Sequence, residues 1–204
     1  MNSHGSRAVD DNSYRDDGLS NGIPLRVHRE QHLEIQGSLR AQHDWNTSVR
    51  PITDYEGGLG NRFNFISVTI PDCLPERLEI ISYANEFAFL YDDEMEQLDL
   101  KQFQEGRDAM LQVFSEEQGD ATPFNETKAL DPKKKIQMQI FARMKALDAE
   151  RAVITMQSWI KFVDLASRTR MEPFETLNQY LPTRAIDAGE LLVDPFLCAV
   201  IVVN

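Results

Sequence analysis

The sequence predicts an all-α protein in which several long helices are joined by loops. Apolar residues recur at steps of three or four over long stretches, which is the spacing of one helix face. Residues that favour helix starts stand where helices are expected to begin, as in the pair Asp131–Pro132. The strand-like segment "NFISVTI" has no strand partner elsewhere in the chain. We therefore interpret that segment as a connection packed on the core.

The composition is typical of a soluble globular domain. The chain has 204 residues, 42% of them hydrophobic, and a formal net charge of −12. That charge repels nucleic acid and anionic membranes, which argues against both as partners. Two cysteines, Cys73 and Cys198, are too few for a disulfide framework or a zinc site. Without a signal peptide or an apolar run long enough for a membrane span, we expect a cytoplasmic protein.

The first elements are a leader, a helix and a loop. Residues 1–22 are polar, rich in Asp, Ser, Asn and Gly, and predict a disordered leader. The spacing of apolar residues predicts a moderately amphipathic helix from Val27 to about Trp45. The segment "DYEGGLGNRFNFISVTIPDCLP" combines glycines and prolines with clustered apolar residues, which is typical of a structured loop.

Four further helices are predicted, over 75–98, 100–117, 132–168 and from 173 to a break or bend at Pro182. Pro75 suits the first turn of a helix, and Glu76 lies near the positive end of that helix dipole. Asp131 caps the next long helix and Pro132 occupies its first turn. The sum is a single helical domain without internal repeats.

An acidic cluster, "DDEME", follows the apolar and aromatic stretch "ISYANEFAFLY" at the end of the helix that begins at Pro75. Asp92 and Asp93 both lie beside Glu96 on a helix, close to the negative end of the helix dipole. Such repulsion becomes favourable when a divalent cation binds, and magnesium takes carboxylates together with substrate phosphates. Taken alone, the cluster also fits a solvated acidic helix end.

Several segments resemble the cyclase domain of fungal chimeric terpene synthases, the fusicoccadiene- and ophiobolin-synthase-like proteins. They are "GIPLRVH", "GSLRAQHDW", "FNFISVTIPDCLPERLEIISYANEFAFLYDDEME" and "LNQYLPTRAIDAGE", in that order. The resemblance covers residues from about 22 to 190. It implies an all-α class I terpenoid synthase fold that cyclises a linear isoprenoid diphosphate, either geranylgeranyl or geranylfarnesyl diphosphate. It also implies Mg2+ bound by Asp92, Asp93 and Glu96.

The segment "YLPTRAIDAGE" resembles the family's diphosphate sensor. By this resemblance Arg184 grips the diphosphate, Asp187 holds Arg184, and the backbone near Gly189 faces the nascent carbocation. Without the resemblance, Arg184 and Asp187 fit an ordinary surface ion pair. Four aromatic residues are candidates for cation–π contacts with carbocations, with core packing as the alternative for each: Phe65, Phe87, Tyr91 and Trp159.

Two other groups are weaker candidates. His28 and His32 are four residues apart, but no third metal ligand accompanies them, and a surface pair near a helix start is the preferred interpretation. The run Lys133–Lys135 is interpreted as a solvated helix face rather than a phosphate contact.

The resemblance ends near Glu190, so the predicted organisation is a leader at 1–22, an N-terminal portion of a cyclase domain at 23–190 and an atypical tail at 191–204. The family continues with a second metal motif and a prenyltransferase domain, which we expect to be absent from this chain. We therefore expect impaired cyclisation by this chain alone. The alternative is an inert helical fragment or a partner-binding protein.

Overall fold

The computed structural model describes residues 5–95 apart from Asp16 and Leu19, eight scattered residues between 97 and 108, and residues 131–169 and 174–187; side chains at 163–169 and 186–187 are excluded. These residues form two compact units, one ending at Tyr91 and one beginning at Asp92. Helices dominate both, which confirms the predicted all-α class. Within the described ranges no helix is both long enough and apolar enough to cross a membrane.

The first unit contains two short strands, β1 (Ser6–Ala8) and β2 (Arg26–His28), and the helices α1 (Gln31–Ser48) and α2 (Phe65–Thr69). It also contains most of α3 (Pro75–Met95), whose last turn belongs to the second unit. Helix α3 begins at Pro75, as predicted, and Glu76 lies in its first turn. The segment "NFISVTI" was interpreted as a loop connection packed on the core; it contains the short helix α2, and Ile66 and Ser67 do bury their side chains in the core.

Part of the predicted disordered leader is ordered, because Ser6–Ala8 form strand β1. Strand β1 pairs antiparallel with β2, with Ser6 opposite His28 and Arg7 opposite Val27. Ser6 and Val27 are both fully buried. The pairing also corrects the start of the first helix, since Val27 lies in β2 and α1 begins at Gln31. The polar composition of this segment predicted disorder. It could not indicate the strand pairing, because the partner strand lies 20 residues further along the chain.

Helices α1 and α3 approach each other closely at Gly37. A Cβ atom on Gly37 would lie 2.2 Å from the carbonyl oxygen of Glu79, so no larger residue fits without movement of backbone. Polar contacts flank this crossing: Arg40 pairs with Glu79 at 2.9 Å, and the Tyr83 hydroxyl donates to Asp44 at 2.8 Å. These contacts hold α1 and α3 together.

His28 has a structural role in this unit. Its ring is fully buried, Nδ1 accepts the Glu30 N–H at 2.9 Å, and Nε2 therefore carries the proton donated to the Cys73 carbonyl at 2.8 Å. His32 is exposed on α1. The interpretation of these two histidines as a surface pair is wrong for His28, because His28 lies in a strand and faces the core.

The Cys73 thiol should be chemically inert in the folded chain. Its residue is 1% exposed, and burial raises the thiol pKa to about 12, so the reactive thiolate is scarce. In a Cys198→Ser background, which leaves Cys73 as the one cysteine, we expect iodoacetamide at pH 8 to modify Cys73 only after denaturant is added. Rapid alkylation of the folded chain, followed by mass spectrometry, would contradict this burial.

The second unit contains α4 (Pro132–Leu147), α5 (Ala149–Thr169) and α6 (Leu177–Asp187). The Asp131 side chain accepts the Lys133 N–H at 2.8 Å and caps α4, as predicted. The predicted single helix over 132–168 is wrong, because Asp148 has an extended backbone and separates α4 from α5. Its carboxylate accepts the Arg151 N–H at 3.1 Å, so a cap competes with helix continuation.

Helices α4 and α5 pack on each other and bury apolar side chains from both: Ile136, Ile140, Phe141, Met144, Ala152, Met156 and Trp159. Helix α6 contains Pro182, at which the sequence predicted a break or a bend. The helix continues through this residue to Asp187. The helix expected over 100–117 is helical at its described residues between 101 and 108, and its remainder lies outside the described part of the chain.

Candidate functional site

The acidic cluster lies in the last turn of α3, as the sequence predicted. Asp92 and Asp93 are exposed, whereas Met95 is 4% exposed and anchors the end of the helix. The third predicted ligand, Glu96, lies outside the described residues. In the part of the chain that the structure describes, no three or more His, Cys, Asp or Glu side chains converge to hold a metal ion.

Glu94 is half-buried, whereas Asp92 and Asp93 are exposed, and it forms an ion pair. The Lys133 ammonium lies 2.7 Å from its carboxylate, and the two side chains are only 24% and 17% exposed, lysine first. Lys133 belongs to the first turn of α4, so this pair joins the start of α4 to the acidic end of α3. The interpretation of Lys133 as part of a solvated helix face is therefore wrong. Sequence reasoning missed the pair because 39 residues separate its members.

The Lys133–Glu94 pair should stabilise the second unit. We expect Lys133→Ala and Glu94→Gln each to lower the free energy of unfolding by about 1 to 2 kcal/mol, because each change removes a charge-assisted hydrogen bond at a largely buried site. The double variant should lose less than the sum of the two, since both changes break one interaction. Lys135→Ala, at an exposed position of α4, is the matched control. Strict additivity in denaturant titrations would count against the pair.

The predicted diphosphate sensor lies in α6. Arg184 is exposed and occupies the last turn of that helix, and Asp187 is its final residue. The side chain of Asp187 and all of Gly189 lie outside the described residues. The contact between Arg184 and Asp187, and the approach of Arg184 to Asp92, therefore stay predictions.

The four aromatic candidates separate by burial. Phe87 is 2% exposed and contacts Trp45 and the half-buried Tyr91, with ring centroids 5.8 and 6.2 Å apart, so it is a core residue. Trp159 is 8% exposed in the second unit. Phe65 is 47% exposed and packs edge-on against Phe89 at 5.5 Å. Phe65 and Phe89 together form an aromatic pair, partly open to solvent, on the first unit.

Two fully buried carboxylates that the sequence did not single out surround the start of α2. Glu34, on α1, accepts the backbone N–H groups of Ile66 and Ser67 at 2.7 and 2.8 Å and also the Ser67 hydroxyl. It thus caps α2 from a different helix. Burial raises the pKa of Glu34, and the nearby charge of Glu86 raises it further, while the three hydrogen bonds oppose this shift.

Glu86, on α3, holds the loop that precedes α2. Its carboxylate accepts from Gln42 Nε2 at 2.7 Å and from the Gly58 N–H at 3.0 Å. Gly57 lies against the same carboxylate, since a Cβ there would be 2.1 Å from Glu86 Oε1. The Gly58 carbonyl in turn accepts the Phe65 N–H at 2.8 Å. One signal was present in the sequence: Glu86 is the one charged residue in the mostly apolar and aromatic stretch "IISYANEFAFLY".

Comparison with known proteins gives a consistent result. No family model matches the chain. Fusicoccadiene synthase of Phomopsis amygdali is 42% identical over 191 residues, which cover 91% of this chain and 26% of the synthase. Ophiobolin F synthase of Cochliobolus heterostrophus is 40% identical over 90% of this chain and 25% of its own length. A bifunctional sesterterpene synthase of Talaromyces wortmannii is 38% identical, with 91% and 24% covered.

The chain is helical and similar to these enzymes over nine-tenths of its length, so it is homologous to part of a terpene synthase. The chain belongs to the fungal fusicoccadiene- and ophiobolin-synthase-like family, and it spans about a quarter of the length of the relatives it matches. The family predicted from the sequence segments is confirmed.

Proposed function

We propose that this chain is part of a class I terpene cyclase that ionises a linear isoprenoid diphosphate with the help of Mg2+. The observation that carries the proposal is the exposed Asp92–Asp93 pair at the end of α3, in a chain homologous to terpene synthases. In the proposed reaction the bond between the allylic carbon and the diphosphate oxygen breaks. Both electrons leave with the diphosphate, and the carbocation that remains is cyclised.

The described residues fit magnesium. Asp92 and Asp93 offer hard oxygen ligands at an exposed helix end, and magnesium usually takes one or two carboxylates and keeps several waters. Glu96 is proposed as a further ligand. Bound magnesium would neutralise charge on the diphosphate and so favour its departure. Asp92 and Asp93 would hold the magnesium at the end of α3.

Arg184 is proposed to bind the diphosphate. A guanidinium can donate two parallel hydrogen bonds to phosphate oxygens, and Arg184 is exposed in the last turn of α6. Asp187 is proposed to orient Arg184, and the backbone near Gly189 to face the cation. Asp187 and Gly189 would therefore act by position rather than by proton transfer.

The aromatic pair Phe65–Phe89 is proposed to face the hydrocarbon part of the substrate. Phe65 keeps 47% of its surface exposed, and an aromatic face stabilises a nearby cation. The substrate is proposed to be a C20 or C25 diphosphate, because relatives are named diterpene synthase and sesterterpene synthase. The cytoplasmic location expected from the sequence stays a prediction.

Binding of geranylgeranyl and geranylfarnesyl diphosphate to the 204-residue chain tests the proposal. We expect binding that requires magnesium and is displaced by inorganic diphosphate, measured by calorimetry on protein shown to be folded by circular dichroism. Because the chain spans a quarter of its relatives, we propose that it makes little or no cyclic hydrocarbon by itself. Folded protein that binds neither diphosphate would support the alternative, in which the acidic helix end is merely solvated.

A further inference from the structure

We propose that Lys133 is a positioning residue of the proposed metal site, one that makes the end of α3 favour magnesium carrying diphosphate over magnesium alone. Lys133 acts through Glu94, whose charge it neutralises, and touches neither metal nor substrate. The inference rests on the proposed function, because it concerns which ligand that site accepts. The four residues that it uses, Asp92, Asp93, Glu94 and Lys133, all belong to the second unit.

The two helix ends that this ion pair joins carry charges that their own helices do not favour. The last turn of α3 holds Asp92, Asp93 and Glu94 and no basic residue. The first turn of α4 holds Lys133 and Lys134 and no acidic residue. A helix dipole favours acidic side chains at the start of a helix and basic side chains at its end. Helix formation therefore does not account for this distribution of charge, whereas an interaction between the two ends does.

Burial separates Glu94 from the two aspartates that precede it. Asp92 and Asp93 are exposed, whereas the side chains of Glu94 and Lys133 are only 17% and 24% exposed. Lys133 Nζ lies 2.7 Å from Glu94 Oε1. Because water screens charges poorly at this burial, the ammonium offsets most of the field of the Glu94 carboxylate. The last turn of α3 thus presents two exposed carboxylates and a third whose charge is neutralised.

The charge of Glu94 matters because the two ligands that can reach Asp92 and Asp93 have opposite signs. Free Mg2+ is a dication, which a further negative charge attracts. A complex of one magnesium ion with one diphosphate is an anion, which the same negative charge repels. Neutralising Glu94 therefore weakens the binding of free Mg2+ and strengthens the binding of the complex. A site with this balance stays available for metal that arrives with the diphosphate of the substrate.

A purely structural ion pair would have a different signature. A loss of folded protein lowers the apparent affinity for both ligands by the same factor, since both need the folded end of α3. The electrostatic role moves the two affinities in opposite directions. The signs of the two changes therefore distinguish the roles even in a less stable variant, as we expect Lys133→Ala to be.

Titration calorimetry of wild type and Lys133→Ala tests the inference, at constant ionic strength and on protein shown to be folded by circular dichroism. The ligands are MgCl2 alone and an equimolar mixture of MgCl2 and inorganic diphosphate. In Lys133→Ala we expect free Mg2+ to bind about threefold more tightly and the complex about threefold more weakly. Lys135→Ala, the control, removes the same charge from an exposed position of the same helix and should leave both affinities unchanged.

Further variants show whether Lys133 acts through Glu94. Lys133→Arg keeps the charge and should keep both wild-type affinities. The double variant Lys133→Ala, Glu94→Gln has neither charge and should return both affinities close to those of wild type. Glu94→Gln alone should reverse the signs, with free Mg2+ bound more weakly and the complex more tightly, so it tests the same claim if Lys133→Ala does not fold.

Three results would overturn the inference. Affinities that change in parallel in Lys133→Ala, or change equally in Lys135→Ala, refute the role of Lys133 and leave the proposed function standing. A double variant that binds the complex as weakly as Lys133→Ala shows that Lys133 contacts diphosphate directly rather than acting through Glu94. Folded wild-type chain that binds neither ligand refutes the proposed function and this inference together.

Discussion

Asp92→Asn is expected to weaken binding of magnesium diphosphate by about 100-fold, a loss of about 2.8 kcal/mol at 1.4 kcal/mol per factor of ten. The amide keeps the shape of the side chain but loses the negative charge that we propose binds the cation. Since magnesium takes only one or two carboxylates from a protein, the loss of one should remove much of the affinity. Titration calorimetry with magnesium and inorganic diphosphate measures the effect.

Two further variants test whether the effect of Asp92→Asn is specific to the end of α3. Asp93→Asn should also weaken binding, because Asp93 is exposed in the same turn of α3. Glu105→Gln removes an equally exposed carboxylate, which lies 3.8 Å from Lys101 in a weak ion pair, and should leave affinity unchanged. Equal losses in Asp92→Asn and Glu105→Gln would show that binding follows net charge rather than the end of α3.

Glu34→Ala is expected to lower the free energy of unfolding by about 3 kcal/mol at neutral pH. The change leaves three buried donors without their acceptor, namely the N–H groups of Ile66 and Ser67 and the Ser67 hydroxyl. It also removes the cap of α2. Glu34→Gln, which keeps one acceptor oxygen and the side-chain volume, should lose less, and Glu56→Ala at an exposed position is the control. A loss no larger than that of Glu56→Ala would contradict the burial of Glu34.

The difference in the free energy of unfolding between wild type and Glu34→Gln should also depend on pH, in a direction that the pKa of Glu34 determines. Burial raises the pKa of Glu34 in the folded state above its value in the unfolded chain. The folded state then binds the proton more tightly, so this contribution to stability is fully present below the unfolded pKa and is lost as pH rises through the folded pKa. The stability advantage of wild type over Glu34→Gln should therefore narrow from pH 4 upward. An advantage that widens with pH would contradict the shift.

Local sequence signals predicted the features that depend on neighbouring residues. Pro75 and Asp131 mark helix starts that the structure contains, because first-turn and cap preferences act within one helical turn. The break at Asp148 was missed although aspartate is a good cap, since the apolar spacing continues in phase from α4 into α5. Periodicity alone cannot distinguish one long helix from two that pack on each other.

The features that depend on distant partners were not predicted. The Lys133–Glu94 pair spans 39 residues, and the Glu86–Gly58 hydrogen bond spans 28. Glu34 resembles any helical glutamate until the N–H groups of α2 are placed beside it. For the candidate site, the sequence indicated the acidic cluster, and exposure in the structure distinguished Asp92 and Asp93 from the half-buried Glu94. Exposure in the structure also distinguished Phe65 from the buried Phe87.

Paramagnetic Mn2+ in place of magnesium tests most directly whether the end of α3 is a metal–diphosphate site. Mn2+ prefers the same oxygen ligands and broadens NMR signals of nuclei close to it. With inorganic diphosphate present, we predict that substoichiometric Mn2+ broadens the signals of Asp92 and Asp93 first, and that Asp92→Asn abolishes this selectivity. Broadening spread evenly over exposed acidic residues such as Glu56 and Glu105, with no preference for Asp92 and Asp93, would contradict the metal site.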